Sequence, residues 1–186
     1  DAMRLTEHFV EILHEYHPEA GVWVAPQHFQ PEPGWYDTFY EEIAKEPDWI
    51  NGVCFAPWEQ DSIEELYEKL PENYRENIRN YPDISHNSNC QFPVENWDMA
   101  FALTSGREGY NARPEKMKAI HNMLEPYTIG SITYSEGIHD DVNKILWADQ
   151  DFDSSVAAEE TMADYANLFI DSETSERVAE FLMDVE

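Results

Sequence analysis

The chain has 186 residues, 42% of them apolar and 13% aromatic, which is enough for a packed core and argues against a disordered chain. Its 39 Asp and Glu against 11 Lys and Arg give a formal net charge of −28, a surface that repels nucleic acid and anionic membranes. The same charge disfavours a polyanionic substrate unless a local basic pocket exists, and it suits high ionic strength.

Residues 2–16 have helical spacing, with Leu5, Phe9, Ile12 and Tyr16 on one face, and the helix stops before Pro18. The chain opens on Asp1 within what reads as the body of a helix, so upstream residues are expected. Gly21 to Ala25 is a short apolar run that reads as a buried strand ending at Pro26-Gln27-His28. After a Pro/Gly loop, residues 35–46 are helical through Trp35, Phe39 and Ile43. A second strand runs from Ile50 to Ala56 and ends at Pro57-Trp58-Glu59, followed by a helix over 61–70. Residues 77–84 read as a more polar strand leading into Pro82-Asp83-Ile84-Ser85-His86. A long loop follows, and Pro114 opens a helix over 114–125. Gly130 to Ser135 is the fourth strand, ending at Glu136-Gly137, with helices predicted over 140–149, 155–170 and 174–184.

Strands and helices thus alternate about four times, which predicts parallel strands with helical crossovers. No Gly-rich phosphate fingerprint follows the first strand, which weighs against a dinucleotide fold. The fold class expected is α/β, a TIM-barrel-like (β/α)8 architecture with about four βα units present. Residues 1–170 are expected to be the C-terminal half of a barrel catalytic domain, and 171–186 a C-terminal helix. A full barrel takes about 250 residues, so the partners expected are the missing N-terminal barrel half or a homo-oligomer mate.

Barrel chemistry sits at the C-terminal ends of strands, and each predicted strand here ends in polar or aromatic residues. Glycosidic cleavage needs one carboxylic acid to protonate the leaving oxygen and a second carboxylate as base or nucleophile. Glu136 fits the first role, with Asp83, Asp140 or Asp141 as its partner. Asp140 and Asp141 read equally as caps of the next helix, with Lys144 pairing at i,i+4, and Asp83 as an acid bonding turn amides. Gln27, His28, His86, Asn89 and His139 are candidates for binding sugar hydroxyls, Trp58 for stacking on a sugar face, and Arg107 for a substrate carboxylate or the acidic loops around it. Asp83, His86, Glu136 and His139 would also suit a metal-dependent hydrolase or isomerase, and a non-catalytic sugar-binding module is a third reading.

No metal site is assigned. Asp149, Asp151, Asp153 and Glu160 have calcium-loop spacing, but Ser154 replaces the required Gly, and a helix cap is preferred. Cys54 reads as a buried thiol; Cys54 and Cys90 make neither a disulfide framework nor a zinc set, which leaves the compartment undetermined, with a secreted or periplasmic setting preferred. No stretch approaches the ~20 apolar residues of a membrane span.

The strings Val22-Trp23-Val24-Ala25-Pro26-Gln27, Arg79-Asn80-Tyr81-Pro82-Asp83-Ile84-Ser85-His86, Tyr134-Ser135-Glu136-Gly137 and Asp140-Asp141-Val142-Asn143-Lys144 resemble the later barrel half of uncharacterised bacterial proteins that look like glycoside hydrolases of the hexosaminidase and α-glucuronidase type. The resemblance covers roughly residues 5–170. It implies a (β/α)8 barrel and hydrolysis of a carbohydrate glycoside, of an amino sugar or a uronic acid.

Overall fold

The computed structural model describes residues 2–28, 32–85, 92, 112–135 and 141–186. The chain divides into two compact units, residues 1–81 with 127–131, and residues 82–126 with 132–186.

In the first unit, helix α1 (Ala2–Tyr16) precedes strand β1 (Trp23–Val24), helix α2 (Trp35–Ile43), strand β2 (Gly52–Phe55), helices α3 (Ile63–Lys69) and α4 (Glu72–Arg75), and strand β3 (Ile78–Asn80). The strands form one parallel sheet in the order β1-β2-β3, with Val24 opposite Val53 and Cys54 opposite Arg79. Strand alternation splits the sheet into two faces. Val24, Val53, Phe55, Ile78 and Asn80 occupy the buried face, and the core continues into Phe39, Ile43, Ile63, Leu66, Leu70 and Tyr74. Trp23, Cys54 and Arg79 occupy the other face and are half-buried.

Helix α3 begins at a capping box: Ser62 Oγ accepts the Glu65 N–H while the Glu65 carboxylate accepts the Ser62 N–H. Helix α1 behaves differently from its sequence pattern. Leu5, Phe9, Ile12 and Tyr16 share a face as expected, yet each is exposed, and Val10 is the helix's buried residue. Periodicity identifies which residues share a face, not what covers them.

The second unit holds strands β4 (Asp83–Ser85) and β5 (Tyr134–Ser135), paired in parallel, and helices α5 (Pro114–Leu124), α6 (Asp141–Phe152), α7 (Ala158–Phe169) and α8 (Ser175–Asp184). Met117, Leu146, Trp147, Met162 and Ala166 are fully buried between the helices. Polar ties reinforce this packing. Lys118 Nζ donates to Gln150 Oε1 at 2.7 Å and to the Ser154 carbonyl at 2.9 Å. Buried His121 meets Asp151 at 2.9 Å and lies edge-on to Trp147. The Glu186 carboxylate accepts the N–H groups of Glu115 and Lys116, occupying the α5 N-terminus.

The expected (β/α)8 barrel is not what forms. Among the described residues five strands of two to four residues lie in two parallel sheets, and no ring of strands closes. Among the described residues β1 pairs with β2 alone. The predicted 77–84 strand is two strands. It breaks at Tyr81-Pro82, where proline has no N–H for the ladder, and β3 and β4 join different sheets. The predicted 130–135 strand is reduced to Tyr134–Ser135 and an isolated bridge between Asn80 and Ser131. Alternating strands and helices establish parallel crossovers but not the strand length or continuous pairing that closure demands.

Candidate functional site

The C-terminal end of β2 gathers the most unusual chemistry in the first unit. After Phe55 the chain turns through Ala56 and Pro57 to Trp58, whose backbone is in the left-handed region at φ 60°, and then to Glu59 and Asp61. A bulky residue in that region is strained, and such strain concentrates at functional sites. The turn folds the Glu59 side chain back onto the strand end, where Oε1 accepts the Ala56 N–H at 2.6 Å. The other oxygen, Oε2, is buried with no hydrogen-bond partner among the described residues. Burial, partly offset by the Ala56 N–H and reinforced by the nearby Asp61 carboxylate, pushes Glu59 up to about 8. A carboxyl group in this state is neutral near pH 7 and can donate a proton.

Asp61, two residues on, is held differently. Its carboxylate is ion-paired with Lys69 Nζ at 2.6 Å and accepts the Tyr40 hydroxyl at 2.6 Å. Lys69 also lies over the Tyr40 ring, 5.1 Å from its centroid. Burial first, then the hydrogen bond and charge of Asp61, raise the Tyr40 phenol far above its ordinary range. Two acids two residues apart therefore have distinct environments: Asp61 carries two donors, and one Glu59 oxygen carries none.

An aromatic ledge adjoins the turn. Tyr36 donates its hydroxyl to the Trp58 carbonyl at 3.4 Å, and Trp35 lies edge-on to Tyr36 with centroids 5.0 Å apart. His28 contacts Trp35 at 5.0 Å, and Trp35 stacks on Phe39 at 6.1 Å. Trp58 itself is 37% exposed. A cavity of about 890 Å³ opens beside Trp23, Trp35, Phe39 and the first turns of α1. Trp35 belongs to both cavity and ledge, whereas Glu59 does not line the cavity.

Comparison with known protein families, curated proteins and solved structures returned no match.

Of the residues singled out in sequence, the structure connects His28 and Trp58 through Trp35 and Tyr36, and places half-buried Gln27 beside His28 at the end of β1. Asp83 is 1% exposed at the start of β4, in the second unit, opposite Tyr134. Asp141 opens α6 and accepts the Tyr165 hydroxyl at 2.6 Å. Glu136, His139, Asp140, His86, Asn89 and Arg107 lie outside the described residues. Arg113 is buried, and its Nη1 donates to the Phe92 carbonyl.

The acids with calcium-loop spacing do not converge. Asp149 accepts from Thr161, Asp151 pairs with His121, and Asp153 accepts from Ser155. Among the described residues no group of three or more His, Cys, Asp or Glu could hold a metal ion. No helix among them is long and apolar enough to cross a membrane.

Sequence reading passed over Glu59 and Asp61 as chemistry. The available signal was an acid directly after a strand-ending Pro-Trp, a pattern that does not reveal which carboxylate loses its water.

Proposed function

We propose that the chain acts on carbohydrate as a glycoside hydrolase whose proton donor is Glu59. The observation that carries this reading is the juxtaposition of half-buried Glu59, whose buried Oε2 has no partner among the described residues, with the partly exposed ring of Trp58 at the same strand end. In this reaction the Glu59 proton passes to the leaving-group oxygen as the bond to the anomeric carbon breaks, and water supplies the hydroxyl that replaces it. Trp58, Tyr36 and Trp35 offer aromatic surface for the apolar face of a sugar ring. Asp61 is a positioning residue: with Lys69 and Tyr40 on its two oxygens, it fixes the turn and adds a negative charge that disfavours ionised Glu59.

The test is a panel of aryl glycosides with good and poor leaving groups, assayed for wild type and Glu59→Gln. The expected result is turnover by wild type, loss of poor-leaving-group substrates in Glu59→Gln, and survival of substrates whose leaving group needs no proton. Equal loss on all leaving groups in Glu59→Gln refutes the proton-donor role. Sugar binding without any turnover identifies a binding module in place of an enzyme.

A further inference from the structure

We propose that Arg79 is an oxyanion receptor, its guanidinium laid over Trp23 on the half-open face of the three-stranded sheet to take the carboxylate or phosphate of a small ligand. The guanidinium carbon sits 3.5 Å from the Trp23 ring centroid. The ring is itself fixed, since its Nε1–H donates to the Asn77 carbonyl at 3.1 Å. Stacking occupies a face of the guanidinium and leaves its N–H edges available, and the planar fork matches an oxyanion in two-point contact.

No carboxylate or carbonyl accepts from the Arg79 side chain among the described residues. Among the described residues Lys45, Lys69, Lys118, Arg75 and Arg113 donate to carboxylates, an amide oxygen or carbonyls, while Arg4, Lys144 and Arg177 share the lack of an acceptor but not the ring that holds Arg79 in place. In a chain with 39 acids, an arginine that is rigidly stacked and yet lacks an acceptor is set apart from its own carboxylates. Cys54, opposite Arg79 on the same face, feels both the Arg79 charge and Glu59. The net charge of −28 favours a small ligand with a single anionic group over a polyanion.

The inference does not depend on glycoside hydrolysis, and its test reads no turnover. Isotope-labelled full-length chain is titrated with acetate, inorganic phosphate and, at matched ionic strength, chloride, following the Arg79 Nε–H and Trp23 Nε1–H resonances. The expected result is a saturable shift of both signals with acetate or phosphate beyond that with chloride. A response to acetate alone assigns a carboxylate ligand, and to phosphate alone a phosphate ligand. Arg79→Gln should weaken the Trp23 response by about tenfold, and Arg79→Lys, which keeps the charge but not the fork, by less. Shifts no larger than with chloride, or undiminished in Arg79→Gln, overturn the proposal. Should Arg79→Gln fail to fold, the wild-type titration decides alone.

Discussion

The indole of Trp23 lies across Gly52, and the absence of a side chain at position 52 is what admits it. A Cβ there would overlap Trp23 Nε1 and Cδ1 and also the Asn77 carbonyl oxygen. Because Asn77 belongs to the backbone just before β3, there is no flexible atom to give way on that side.

Gly52→Ala is therefore expected to destabilise the chain by about 2–4 kcal/mol, from overpacking and the loss of the Trp23–Asn77 hydrogen bond. Urea denaturation checks this, and an unchanged midpoint would contradict it. The variant should also lose the Arg79 platform, so the anion response should fall with it.

Glu59 should impose a pH dependence on stability. Its folded value of about 8 stands above the ordinary 4.5 it regains on unfolding. Between these values the folded chain keeps a proton that the unfolded chain releases. Its contribution is complete below 4.5 and is lost as pH rises through about 8. Glu59→Gln, neutral throughout, should gain on wild type across this window by up to about 5 kcal/mol. Denaturation of both chains at matched pH values isolates the effect from the other acids, and parallel curves would refute it.

The parts of the fold legible in sequence are those fixed by local pattern. The runs at Trp23–Val24 and Gly52–Phe55 are strands because short β-branched and aromatic stretches lie between turn residues. Pro114 opens α5, and Pro18 lies beyond the end of α1. Barrel closure was not legible, because it depends on pairing between distant segments, and Pro82 interrupts the one strand predicted to continue. The candidate site was half legible. Trp58 and His28 stand out as strand-end residues, but Glu59 is distinguished from 38 other acids only by desolvation, a property of packing.

Asp61 offers a direct measure of how its two donors share one carboxylate. Asp61 is nearly buried, while Lys69 is about half exposed. Tyr40→Phe leaves Asp61 Oδ2 without its hydroxyl and should cost about 1–3 kcal/mol. Lys69→Met alone should cost less than the tyrosine change if water replaces its exposed ammonium. A double-mutant cycle is expected to show coupling of about 0.5–1 kcal/mol or more, since both donors serve one carboxylate and Lys69 also lies over the Tyr40 ring. Strict additivity would show that the two contacts act independently.

Trp58 sets a conformational preference against the sugar-stacking role proposed for it. At φ 60° a tryptophan backbone carries about 1–2 kcal/mol of strain that glycine would not. Trp58→Gly relieves that strain but removes a ring that is 37% exposed and raises the entropy of the unfolded chain. These effects oppose one another, so stability should stay within about 1 kcal/mol of wild type. Sugar affinity should instead fall by about tenfold or more, because the stacking surface is gone. Trp58→Phe keeps an aromatic ring on the same strained backbone and should retain most of the binding. Calorimetric titration with a glycoside alongside thermal melts separates the two properties. A large loss of stability in Trp58→Gly with binding intact would make the ring a structural element, and the strained turn would then serve Glu59 alone.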